Sequence, residues 1–175
     1  HAENAAREEH ERRAVCAITP KLASINNAFA RLKAEAKQDI VLESFPNDID
    51  LYADDDGYVY IEEMVATFRS RQSQRPLMQA KFGGEYFGEA SLSECFLTLV
   101  PAAAVTYAWG NYRVENAPQN LSNSLWSPDI ALDIEGRSIS LEQITDESVY
   151  GAAAEILAKM ISAYEADDGA ASDIT

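Results

Sequence analysis

The run from Cys95 to Gly110, CFLTLVPAAAVTYAWG, carries no charged side chain, and nothing else in the chain is like it. Pro101 interrupts it, and it falls short of the ~20 apolar residues that a membrane-spanning helix requires. It therefore has to be buried inside a folded domain. Ser91 to Glu94 just before it has the capping-box pattern of a helix start. Against that, Val105, Tyr107 and Trp109 alternate with Ala104, Thr106, Ala108 and Gly110, large against small at the period of a strand. A proline costs about 3 kcal/mol inside a helix but is tolerated between strands. The pattern predicts strands at 94–100 and 103–114.

A chain of 175 residues, 47% of them hydrophobic, is long enough for one domain with a real core. Its formal net charge is −15, and the charge is uneven. Residues 1–81 hold 11 Lys+Arg against 14 Asp+Glu, whereas residues 82–175 hold 3 against 15. Such a surface repels nucleic acid and acidic membranes and attracts basic proteins. Two cysteines, Cys16 and Cys95, cannot form a disulfide framework and lack metal-ligand spacing; their apolar neighbours predict buried thiols. No secretory signal or membrane span is visible, which slightly favours a cytoplasmic protein. The first residue is His1 rather than Met, so a removed leader stays open.

Val15, Ile18, Leu22, Ile25, Phe29, Leu32 and Ala36 recur at steps of three and four, predicting helix through residues 2–37. Thr19-Pro20 looks like an N-cap followed by a first-turn proline, so a kink or two helices, 3–18 and 20–37, are expected. The stripe either lies on the chain's own sheet or forms a coiled-coil seam that pairs two copies through residues 15–36. Residues 3–13 are charged nearly all round and are expected to project into solvent.

Residues 47–63 specify a hairpin. The loop Asp55-Asp56-Gly57 puts glycine at the left-handed position of a type I turn with a bulge. That register pairs Asp54 with Tyr58, Tyr52 with Tyr60 and Asp50 with Glu62 on one face. Ala53 with Val59 and Leu51 with Ile61 fall on the aliphatic other face. Residues 52–63 also resemble the calcium loop of EF-hand proteins. Asp54, Asp56, Gly57, Val59 and Glu63 stand at its third, fifth, sixth, eighth and twelfth positions, and the resemblance implies a calcium ligand set. Tyr52 replaces the first acidic ligand, however, and Pro46-Asn47-Asp48 opposes an entering helix. The hairpin without metal is the expectation.

Residues 64–82 hold Arg69, Arg71, Arg75 and Lys81 with no acid, a candidate anion-binding strip if the arginines do not pair internally. Gly83-Gly84 and Gly88 are expected to break the chain into a loop. Residues 115–127 read as a long polar loop anchored by Leu121, Leu125 and Trp126, with a glycosylation sequon at Asn120. A second hairpin is expected at 129–141 around Glu135-Gly136, pairing Ile134 with Arg137, Leu132 with Ile139 and Ile130 with Leu141. Residues 146–165 form an amphipathic helix whose stripe is Val149, Ala153, Ile156, Leu157, Met160, Ile161 and Tyr164.

The fold class expected is α+β: N-terminal helices (1–37), then an α+β domain (38–166) of antiparallel hairpins covered by the C-terminal helix, then a flexible acidic tail (167–175). The catalytic inventory is thin. Both histidines, His1 and His10, lie in the charged N-terminal segment, so a Ser or Cys nucleophile has no base. No cofactor motif, CxxC or phosphate loop is present. The sequence thus points to a non-catalytic binding or regulatory protein with a basic protein partner, and in its sharper form to an inhibitor that presents carboxylates. The candidate contact residues are Asp50, Tyr52, Asp54, Tyr58, Tyr60 and Glu62. The alternative is a hydrolase or lyase using paired carboxylates, drawn from Asp50, Asp54, Glu62, Glu85, Glu89 and Glu94, near the arginine strip.

Overall fold

The computed structural model of the chain describes residues 2–36, 39–42, 45, 49–101 and 134–174. In order these form helix α1 (Ala2–Glu35), strands β1 (Ile40–Leu42), β2 (Leu51–Ala53), β3 (Val59–Ser70), β4 (Pro76–Tyr86), β5 (Glu94–Pro101) and β6 (Arg137–Ser140), and helix α2 (Asp146–Ile174). The strands make one antiparallel sheet in the order β1-β3-β4-β5-β6, with β2 also paired to β3. The α+β class read from the sequence is the fold observed.

Strand β5 begins at Glu94, as expected from a proline that disfavours helix through this run. The rival helix start survives only as a 3-10 turn at Ala90–Leu92. Burial alternates along β5, with Cys95, Leu97 and Leu99 inside, and this inner face continues through Met78, Ala80 and Phe82 of β4. On β3 the inner residues are Val59, Ile61, Met64, Ala66 and Phe68. The step from Ile61 to Met64 is a register shift opposite Gly83, so Glu62 and Glu63 both face out while Met64 returns to the core.

Both helices close this inner face. Ile18, Leu22, Ile25, Ala28, Phe29 and Leu32 of α1 and Val149, Ala153, Ile156, Leu157 and Met160 of α2 belong to the same buried cluster as the sheet. Phe29 sits at its centre, edge-on to Phe68 at 4.9 Å and tilted against Phe45 at 5.8 Å. Each fully buried side chain of this size contributes roughly 1.5–3 kcal/mol relative to exposure. The α2 start is fixed by a reciprocal cap. Ser148 N–H donates to Thr145 Oγ1 (3.0 Å), and Thr145 N–H donates to Ser148 Oγ (2.9 Å).

Several expectations are corrected. Residues 2–35 are one continuous helix rather than two. Pro20 and Cys16, whose carbonyl loses its N–H partner, both lie on the exposed side, where water can serve that carbonyl. Val15 is exposed and Ala14 takes its place inside, so the heptad stripe is occupied within the chain from Ala14 to Leu32. Cys16 is exposed; only Cys95 is buried. Gly83 and Gly84 lie within β4 rather than in a loop. At Gly84 (φ +133°) a Cβ would overlap the carbonyl oxygen of Glu94, so the close β4–β5 approach requires glycine.

Of the second hairpin only one arm is a described strand. Strand β6 pairs with β5, Phe96 opposite Ser140 and Leu97 opposite Ile139, while Ile134 lies outside any strand and Leu141 opens a 3-10 turn. The arm at 129–133, the strand at 103–114, and the loop at 115–127 with Asn120 lie outside the described residues. Helix α2 continues through the segment expected to be a flexible tail, ending at Ile174.

Candidate functional site

The sheet face opposite the helices carries the hairpin tyrosines. Its register is the one that the turn chemistry dictates: Leu51 opposite Ile61, Tyr52 opposite Tyr60, Ala53 opposite Val59. Asp54 N–H donates to the Tyr58 carbonyl (2.9 Å), and Glu62 N–H donates to the Asp50 carbonyl (2.9 Å), so the pairing extends to both ends. Asp54 Oδ1 accepts from the backbone N–H of Asp56 and of Tyr58, both at 3.0 Å, which locks the turn. Gly57 has φ +90°, as that turn requires.

Two aromatic pairs result. Tyr52 and Tyr60 stack with centroids 5.4 Å apart and planes at 24°, and Tyr58 meets Phe87 edge-on at 5.2 Å. Tyr52 is 62% exposed and Tyr58 45%, and Tyr60 is half-buried between its neighbours. The ladder then adds acids that lie far off in sequence. Tyr60 pairs with Glu85 of β4, and Glu85 pairs with Glu94 of β5, giving one row Tyr52–Tyr60–Glu85–Glu94 across four strands. Asp50 and Glu62 flank the tyrosine pair on one side and Asp54 on the other, and the Tyr60 hydroxyl donates to Asp54 Oδ2 at 3.4 Å. Loss of water, then the Asp54 and Glu85 carboxylates, raise the Tyr60 hydroxyl above its ordinary pKa. The carboxylates thus disfavour further negative charge here, and the loss of water disfavours charge of either sign.

No protein-family model, curated protein or solved structure matches the chain. Function has to be argued from this geometry alone.

The first turns of α1 do not project freely. Arg7 pairs with Asp55, Glu11 Oε1 accepts the Ala53 N–H at 3.3 Å, and the His10 ring lies under Gly57. These contacts back the hairpin from the helix side, and a polar helix surface gave no sign of them. Glu85 was likewise beyond an alternation argument, because Gly83-Gly84 masks strand β4, and nothing local places Phe87 beside Tyr58 or Glu94 beside Glu85.

Tyr60 and Arg69 are separated by most of β3, roughly 30 Å at the rise of a strand. Arg69 stands opposite Val41, Arg71 N–H donates to the Asp39 carbonyl (2.8 Å), and the Arg75 guanidinium lies over the Tyr164 ring at 5.0 Å. The three arginines therefore sit at the opposite end of the sheet from the carboxylate row, while Lys81 lies midway along β4 opposite Val65. A hollow of about 230 Å³ opens there, lined by Asp39, Ile40, Ser70, Gln72, Leu77 and Ile161. The segment that resembles a calcium loop is strand, turn and strand, with Glu63 in the bulge of β3. Among the described residues no group of three or more His, Cys, Asp or Glu is placed to hold a metal ion. No described helix is long and apolar enough to cross a membrane.

Proposed function

We propose that the protein is a non-catalytic binding or regulatory protein that docks a basic protein partner on its tyrosine–carboxylate face. One observation carries this reading. Tyr52 and Tyr58 are exposed and Tyr60 is half-buried between them, on the side of the sheet away from both helices, inside a field of Asp50, Asp54, Glu62, Glu85 and Glu94. Tyrosine suits an interface because it offers a large, stiff apolar face and keeps a hydroxyl for water or a partner. The surrounding carboxylates favour approach by a positive surface and reject a negative one. An inhibitor of a nucleic-acid-binding protein would use the same chemistry, with carboxylates in the place of phosphates.

The test is affinity capture from lysate of the source organism at low and high salt, followed by reconstitution with the purified captured protein. The reading expects a basic protein whose binding weakens with salt, because screening acts on exposed charge pairs. It also expects Asp50→Lys, at an exposed position, to slow association. An acidic partner held equally well at high salt would contradict it.

A further inference from the structure

We infer that the Tyr52–Tyr60 stack and the carboxylates around it take an arginine side chain of the partner. This rests on the binding reading above and narrows it to one chemical group. The chain already builds such a receptor for one of its own arginines. The Arg31 guanidinium carbon lies 3.7 Å from the centroid of the Tyr150 ring, and the hydroxyl of that ring donates to Glu35. Arg31 also donates to Glu35 and to Glu147, each at 3.2 Å. An aromatic face thus carries the guanidinium plane, one carboxylate anchors both tyrosine and arginine, and a second closes the fork. The Tyr150 hydroxyl, with Arg31 beside it, holds Glu35 below the usual carboxylate range.

The sheet face repeats these parts. The Tyr60 hydroxyl donates to the Asp54 carboxylate as Tyr150 does to Glu35. Asp50, Glu62 and Glu85 supply further carboxylates beside the ring pair, and Asp50 and Glu62 are exposed. Tyr60 covers one face of the Tyr52 ring, and Tyr52 is 62% exposed. A guanidinium can stack on a ring and fork a carboxylate at once, whereas an ammonium is a compact, strongly hydrated point charge. The arrangement therefore distinguishes arginine from lysine at equal charge.

The experiment is calorimetric titration of the full chain with two peptides of equal length and charge that differ only in arginine against lysine. The arginine peptide should bind on the order of tenfold tighter, the worth of a good cation–π contact. Tyr52→Leu, at an exposed position, should fold with a melting temperature within about 4 °C of wild type and erase that preference while weak charge-driven binding remains. Equal affinity for both peptides, lost on Glu62→Lys, would overturn the arginine assignment and leave the basic-partner reading standing. An arginine preference that survives Tyr52→Leu would place the receptor elsewhere and also overturn it. Binding of neither peptide at low salt would remove both readings.

Discussion

Tyr52 and Tyr60 face each other across the β2–β3 ladder with their rings 5.4 Å apart and 24° from parallel. The stack is set by backbone register, not by a hydrophobic pocket. It therefore leaves an aromatic surface outside the core, while Leu51, Val59 and Ile61 of the same strands turn inward. One hairpin thus separates stability from surface chemistry by the two-residue period of a strand.

Phe29 joins α1 to the sheet through Phe45 and Phe68 and is fully buried. Phe29→Ala should cost about 3–5 kcal/mol, from lost burial and the cavity left behind. Urea unfolding measures it through a lowered midpoint. A change under 1 kcal/mol, roughly the size of a surface substitution, would mean the helix is seated differently.

Two glycines with positive φ should respond unequally to alanine. At Gly57 (φ +90°) a Cβ would lie 3.0 Å from His10 Cε1, a side chain that can move. Gly57→Ala should cost about 1–2 kcal/mol, mainly backbone strain. At Gly84 the obstacle is the backbone of Glu94 and Cys95, which cannot yield without parting β4 from β5. Gly84→Ala should cost about 3 kcal/mol or more. Thermal melts of the two variants check the order.

The two thiols should behave differently. Burial pushes Cys95 up to about 12, and Cys16 is exposed. A thiol reagent should modify one cysteine of the native chain at pH 8 and both after denaturation. Burial likewise raises the Tyr164 hydroxyl, which donates to the Pro76 carbonyl at 2.7 Å, to about 12. Below the ordinary values, 9 for the thiol and 10 for the phenol, both groups are protonated whether folded or unfolded. Above them the unfolded chain releases protons that the folded chain retains, so stability falls as pH rises from about 9 to about 12. Chemical denaturation at pH 8 and pH 11 should show the loss, and Cys95→Ser, which removes the thiol, should reduce it.

How far the sequence speaks depends on whether a signal is local. The 51–61 register was legible because Asp55-Asp56-Gly57 and the alternation of its flanks agree. Strand β5 was legible from Glu94 onward because Pro101 ruled out a long helix. The β3–β4 hairpin was not. Its inner face includes Ala66 and Ala80, weak hydrophobic markers, and Arg69, Arg71 and Arg75 mark the end of β3 and the turn into β4 with charge rather than with turn residues. Gly83-Gly84 reads as a break until the neighbouring strand shows why no side chain fits. The acids Glu85 and Glu94 join the tyrosine row only through pairing across three strands, which no local pattern encodes.

The contacts of the α1 start on the hairpin give another check. Glu11 Oε1 accepts the Ala53 N–H, so Glu11→Ala should speed hydrogen exchange at Ala53 several-fold while core amides such as Leu97 hold their protection. Unchanged exchange at Ala53 would show that the first turns do not support β2.

The most direct test of the account is the affinity of the purified partner for wild type and for Tyr52→Ala, read beside the melting temperature of each. Tyr52 is 62% exposed, so removal of its ring should leave the fold intact, within about 1 kcal/mol for the lost stack. The account predicts that partner binding weakens by at least ~2 kcal/mol, roughly thirtyfold in Kd, as for an interface hot spot. Unchanged affinity in a fully folded Tyr52→Ala protein would contradict it.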